Sequence, residues 1–148
     1  AGPDGGLAFI GGVSYPNSKA KHLVELSVAI QEKFGGKVPS ALDDLTSLPG
    51  VGRKTANVLL AVAFSKAAMP VDTHVYRVSH RMGLVPKSAA TPLAVERCLT
   101  KNIPEALLAD AHHWLLLHGR YVCTSRKPHC EKCPFKGFCP KIMDFKGY

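Results

Sequence analysis

Residues 48–56 read Leu48-Pro49-Gly50-Val51-Gly52-Arg53-Lys54-Thr55-Ala56. A Pro-Gly-x-Gly turn of this kind joins two helices in a tight hairpin. Ahead of it, Pro39 and Ser40 are expected to open a short helix, with Asp43 three residues after Ser40 in capping-box position. Behind it, Arg53 to Phe64 is expected to be a helix that is apolar on nearly every face beyond its first turn and therefore buried. Glycines let the backbone come close to a phosphate, whose oxygens the amides of Gly50, Gly52 and the following helix N-terminus can bind. Gly50, Val51, Gly52 and Arg53 are thus candidate phosphate contacts, against the plainer reading of a helix-helix turn with glycine as cap. A P-loop is excluded because Arg53 separates Gly52 from Lys54, and no third glycine completes a dinucleotide fingerprint.

Working outward, the chain reads as helices joined by short loops, an all-α fold. Ser18 is expected to cap a helix running to Phe34, with Leu23, Val24, Ile30 and Phe34 on its apolar face and Gly35-Gly36 as its stop. Further helices are expected over Thr73 to Met82, over Pro92 to Lys101 with Thr91 as cap, and over Glu105 to His118. No alternating strand of useful length, internal repeat or low-complexity tract is visible beyond the Gly-rich start, residues 1–6. The longest unbroken apolar run, Val58 to Phe64, falls far short of the ~18 to 20 residues a bilayer span needs.

Lys54 stands beside Arg53 in a helix first turn, where the positive dipole end favours Asp and Glu instead. As structure this pairing is unfavourable. As chemistry it is useful, because positive neighbours and partial burial both disfavour the ammonium and expose a neutral amine that can attack carbon. Asp72, just before the helix at Thr73, either caps that helix or aims a carboxylate at the same cleft.

Near the C-terminus Cys123, Cys130, Cys133 and Cys139 are spaced C-x6-C-x2-C-x5-C. Four thiols that close in sequence suit tetrahedral zinc or an iron-sulfur cluster better than a disulfide framework, and spacing alone leaves those two open. Cys98 lies in a helical pattern and matches no ligand; a packed, inert thiol is expected. The whole chain carries a formal charge of +8, and residues 119–148 hold seven basic and two acidic side chains. Such a concentration is usually a solvated surface, but beside a cysteine site it favours a polyanionic partner, and so nucleic acid. His112, His113 and His118 surround Trp114 on an apolar helix, where hydrogen-bonded packing is expected rather than metal ligation.

LPGVGRKTA at 48–56, VDTHVYR at 71–77, HHWLLLHGRYVC at 112–123 and the cysteine array, in that order, resemble the endonuclease III family of helix-hairpin-helix, iron-sulfur DNA glycosylases. The resemblance runs from about Leu7 to Cys139. It implies a partial helix-hairpin-helix glycosylase fold, with residues 1–66 a partial helical-barrel domain and 67–148 a helical iron-sulfur domain. It further implies a 4Fe-4S cluster on Cys123, Cys130, Cys133 and Cys139, which would leave the chain basic at about +6. By position Lys54 matches the family's nucleophile and Asp72 its essential carboxylate. Adenine-mismatch relatives usually lack a lysine there, so the resemblance points to the bifunctional branch that removes oxidised pyrimidines and cuts abasic sites. The implied partner is double-stranded DNA with damaged bases or abasic sites. Arg126 and Lys127 fall where the family contacts phosphates, against the plainer reading of a solvated charge pair, and His74 is either a lesion-strand contact or a surface helix residue. The expected location is cytoplasmic and nucleoid-associated in a bacterium, nuclear or mitochondrial in a eukaryote.

Two departures accompany the resemblance. Tyr15 falls where the family inserts an apolar wedge into the duplex, with Ser14 where glycine is usual. The family also has several helices ahead of the point where this chain begins, and residues 1–6, without an initiator methionine, read as a truncated or spliced start. Those helices form much of the helical-barrel half, part of the lesion pocket and a segment of the cluster half. The alternative expectation is accordingly a non-catalytic DNA-binding fragment, monomeric unless a partner supplies the missing helices.

Overall fold

The computed structural model describes residues 3–145. Among them are seven α-helices, two short 3-10 turns and no strand. In chain order they are α1 (Pro3–Ile10), α2 (Pro16–Phe34), α3 (Leu42–Thr46), α4 (Arg53–Val62), α5 (Thr73–Arg81), α6 (Pro92–Asn102), a 3-10 turn (Glu105–Leu107), α7 (Leu108–Tyr121) and a second turn (Cys130–Lys132). Backbone proximity divides the chain into two compact units, Ala1–Ala56 and Asn57–Tyr148. No described helix is long and apolar enough to cross a membrane.

In the first unit α1 packs on α2. Contrary to the expected Ser18 cap, α2 starts at Pro16 with Tyr15 as a left-handed N-cap (φ 56°, ψ 53°) and no side-chain cap bond. Proline at the first helical position supplies a preset φ and has no N–H to satisfy, so a Ser cap two residues on is not needed. Gly35 ends the helix in the left-handed region as expected, its N–H reaching the Ile30 carbonyl. The expected apolar face is only partly covered: Val24, Ile30 and Phe34 are half-buried and Leu23 is 47% exposed, while the buried positions of the helix are Ala20 and Ala29. The expected capping box at Ser40 and Asp43 does not form either, because α3 begins at Leu42 behind Ala41, without a side-chain cap bond. Asp43 and Asp44 instead place negative charge in its first turn, where the helix dipole favours it.

Helix α4 corrects a larger expectation. It buries one stripe, Ala56, Asn57, Leu60 and Ala61, and leaves Val62 64% exposed. Its end turns back at Ser65, a non-glycine residue at φ 50°, where the Lys66 amide bonds the Leu60 carbonyl at 2.9 Å. A serine thus holds the left-handed position after the helix that glycine usually fills.

In the second unit the helix starts agree with the sequence. Asp72 caps α5 by accepting from the Val75 amide at 2.8 Å, and Thr91 caps α6 by accepting from the Ala94 amide at 3.1 Å. The segment expected as one helix over Glu105 to His118 is a 3-10 turn followed by α7, which continues to Tyr121. Val75, Val78, Val95, Leu99, Leu108 and Leu115 form the core, with Cys98 packed against it as expected. After the last cysteine the chain returns to α5: the Ile142 amide bonds the Arg81 carbonyl at 3.1 Å, and Phe145 stacks on buried His80 at 4.8 Å.

Because a left-handed conformation costs a side-chain residue about 1–2 kcal/mol and glycine loses part of that gain to unfolded-chain entropy, Ser65→Gly should stabilise the chain by about 0.5–1 kcal/mol. A urea midpoint raised with unchanged slope would be the signature.

Candidate functional site

The hairpin comes first. Leu48 to Val51 is a turn closed by the Val51 amide on the Leu48 carbonyl at 3.1 Å, with Gly50 at φ 75°. Pro49 and Gly50 occupy the positions where a type II turn wants proline and glycine. Gly50 is doubly constrained, since a Cβ there would also lie 2.9 Å from the His22 Cβ on α2. Gly52 differs: its φ is ordinary and a Cβ would meet nothing within 4 Å. Its bare backbone faces open space. The first α4 hydrogen bond, from the Ala56 amide to the Gly52 carbonyl at 3.0 Å, marks Gly52 as the N-cap. The amides of the turn after it have no intrahelical acceptor. Arg53 and Lys54 are both exposed in that turn, which contains no acidic residue. The partial burial expected for Lys54 is therefore absent from the described surface. Tyr15 is 82% exposed and holds its left-handed backbone at the tip of the loop before α2.

In the second unit Asp72 is half-buried with one carboxylate oxygen engaged in capping. The loop before it is pinned where the His112 Nδ1, on α7, lies 2.9 Å from the Pro70 carbonyl oxygen. Packing is thus the role of His112, as expected; His113 bonds only one turn back, its Nδ1 2.9 Å from the Ala109 carbonyl. His74 is half-buried rather than a free surface residue, with its Nδ1 3.2 Å from the Arg77 guanidinium.

The cysteines come together. Cys123, Cys130, Cys133 and Cys139, each half-buried, line one cavity with Met82, His118, Val122, Pro128, Lys136 and Lys141. A set of four thiols around a shared cavity, two of them within reach of cationic or imidazole nitrogens, fits a thiolate-held polynuclear group.

Three residues to which the sequence reading gave no such role organise this site. Arg77 donates to the Gly119 carbonyl at 2.7 Å and the Cys123 carbonyl at 3.1 Å. Arg81 donates to the Thr124 and Ser125 carbonyls at 2.6 and 2.8 Å, and its guanidinium lies 3.7 Å from the Cys123 sulfur. His118 puts Nε2 3.8 Å from the Cys133 sulfur, and burial lowers its pKa, favouring the neutral ring. Burial and the neighbouring Arg81 lower the pKa of Arg77, in that order, with Cys123 and Asp72 opposing. The two arginines thereby fix the start of the loop that carries exposed Arg126 and Lys127.

Residues 33–62 match the helix-hairpin-helix motif, and residues 123–139 match the iron-sulfur binding domain of endonuclease III, which decides between the zinc and iron-sulfur readings. The fold and site define a helix-hairpin-helix protein with an iron-sulfur segment. Endonuclease III of Rickettsia conorii is 43% identical over 145 residues, covering 98% of this chain and 68% of that protein. The Rickettsia felis endonuclease III is 46% identical over 138 residues, covering 93% of this chain and 64% of that protein. A solved structure of a trapped endonuclease III-DNA covalent intermediate superposes with a TM-score of 0.90 at 38% identity, covering 95% of this chain and 66% of that one. The chain belongs to the endonuclease III family and spans roughly two thirds of the length of these relatives.

Arg77→Ala should cost about 2 kcal/mol of stability, since it strips a charged donor from two part-buried carbonyls. Arg77→Lys should recover little, because an ammonium cannot present the fork that reaches both. Thermal unfolding of the two variants measures this, and equal recovery by lysine would show that charge alone matters.

Proposed function

We propose that the chain carries the DNA-binding and catalytic core of a base-excision repair glycosylase with AP lyase activity. It removes oxidised pyrimidines and cuts 3′ to abasic sites through a lysine Schiff base. The observation that carries the reading is Lys54, exposed in the first turn of α4 directly behind the open backbone of Gly52, in a chain that shares its fold with an endonuclease III captured as a covalent DNA intermediate.

In this reading the amides from Gly50 to Arg53 bind a phosphate of duplex DNA, with Val51 against the sugar-phosphate chain, and identify no base. Arg126, Lys127 and His74 add contacts to the backbone and lesion strand. Tyr15, held outward by its strained loop, stacks into the gap left when the damaged nucleotide is flipped out. The Lys54 amine forms a bond to C1′ as the C1′–N bond breaks and the base leaves with the electron pair. Opening of the sugar then gives an imine, and loss of a C2′ proton expels the 3′ phosphate. Asp72 stabilises the positive charge that develops on the sugar and assists deprotonation of the nucleophile, while one of its oxygens caps α5. Cys123, Cys130, Cys133 and Cys139 would hold a 4Fe-4S cluster, which when bound cross-links the segment that displays Arg126 and Lys127. The protein acts as a monomer unless a partner supplies the helices its relatives carry ahead of this chain, in the compartment that holds the DNA.

Borohydride trapping on abasic-site DNA tests the chemistry. The unaltered chain should form a reduced covalent adduct, and Lys54→Gln should form none while still binding duplex; undiminished trapping by the variant would overturn the assignment. Binding without any trapping by the unaltered chain would favour the DNA-binding fragment instead. Asp72→Asn should keep the helix cap and the fold, since Asn caps as well as Asp, yet slow base removal roughly a hundredfold or more. Arg126→Ala with Lys127→Ala should flatten the slope of log affinity against log salt by about one to two units. An unchanged slope would reduce these two residues to solvated charge.

A further inference from the structure

We propose that His118 is a positioning residue for the cysteine site, holding Cys123 through its backbone and donating its imidazole N–H to the thiolate of Cys133, and that this bond sets the lability and reduction potential of the bound cluster. The proposal rests on the iron-sulfur reading above. His118 lies in the last turn of α7 and lines the same cavity as the four cysteines. Its carbonyl accepts the amides of Val122 at 2.9 Å and Cys123 at 2.7 Å, so the first cysteine is fixed to its main chain. Its Nε2 stands 3.8 Å from the Cys133 sulfur, and its ring is steadied edge-on by Phe135, centroids 5.5 Å apart at 69°. One residue thus reaches two cysteines that the chain separates by nine intervening positions.

A thiolate has no proton to give, so the imidazole is the donor across that contact. An N–H directed at a thiolate withdraws electron density from sulfur, which stabilises the cluster more in its reduced, more negative state than in its oxidised one. The potential is raised accordingly. The same bond opposes protonation and departure of the Cys133 thiolate, which slows loss of iron. Arg81 is the corresponding donor at Cys123, but its guanidinium also serves the Thr124 and Ser125 carbonyls, so its replacement would disturb the loop itself. His118 allows a cleaner test, because side-chain replacement leaves the carbonyl that holds Cys123 in place.

The test uses the iron-loaded chain and three variants. His118→Phe keeps an aromatic ring against Phe135 and removes the donor, His118→Asn has an amide too short to reach the sulfur, and His118→Gln restores a donor of similar reach. Iron release to a chelator should be about tenfold or more faster in the Phe and Asn variants, the usual scale for losing an outer hydrogen bond at a metal site. The cluster potential should be more negative in both, and Gln should return it toward the starting value. If His118→Phe does not fold, the Asn and Gln pair decides the matter alone. His113→Leu, which alters a bond and an edge-on ring contact that both lie within α7, should change neither readout. Unchanged potentials and release rates in loaded Phe and Asn variants would overturn the proposal while leaving the cluster intact. A chain that binds no iron on reconstitution would instead overturn the iron-sulfur reading and this inference with it.

Discussion

Everything at the cysteine end of the second unit depends on how closely α5 can approach α7 at Gly119. A Cβ at that position would lie 3.0 Å from both the His74 Cβ and a Val78 methyl, so a side chain there would require α5 to give by a few tenths of an ångström. With the gap closed, Arg77 reaches across to the Gly119 and Cys123 carbonyls and satisfies acceptors that the end of α7 leaves without intrahelical donors. Arg81, one turn on, takes the next two carbonyls of the chain. The first cysteine is held in place by two arginines and a missing side chain before any cofactor is considered.

The same helix pair carries the arrangement to its other end. His112 and Gly119 are separated by roughly 10 Å of α7, at about 1.5 Å per residue. At one of these positions α7 holds the Pro70 carbonyl just ahead of Asp72, and at the other it holds the cysteine loop. Asp72 in turn is fixed as the cap of α5, so the carboxylate and the cysteine site are two ends of one packed pair. Rigid elements hold a charged group more accurately than a loop can.

In the first unit two glycines in one turn have different physical reasons. Gly50 is required by the protein itself, through its left-handed backbone and the His22 side chain against it. Gly52 is not, since a side chain there would touch nothing in the chain. The two glycines therefore answer to different constraints, one set by the backbone and its neighbour and the other not by the chain itself.

Local chemistry was legible in the sequence wherever it depends on residues a few positions apart. The glycine stop of α2, the Asp72 and Thr91 caps, the Pro-Gly turn and the four cysteines all belong to that class, because backbone geometry and ligand type act over short spans. Caps proved less legible where alternatives were near: Pro16 displaced Ser18, and Ala41 stood where Ser40 was expected. Burial was not legible for α4, since an apolar surface states only what could be covered, and Val62 and Lys54 remain exposed. Nor were Arg77, Arg81 and His118. Their partners lie 42 to 46 residues away for Arg77, 42 to 44 for Arg81 and 15 for the His118 side chain, and contacts at such separations leave no periodicity or spacing to read. The sequence by itself determined which groups could do chemistry and roughly where the helices lie, though not the exact start of each. Which of those groups share a cavity was decided only by the tertiary structure, because it depends on how closely two helix backbones can pass.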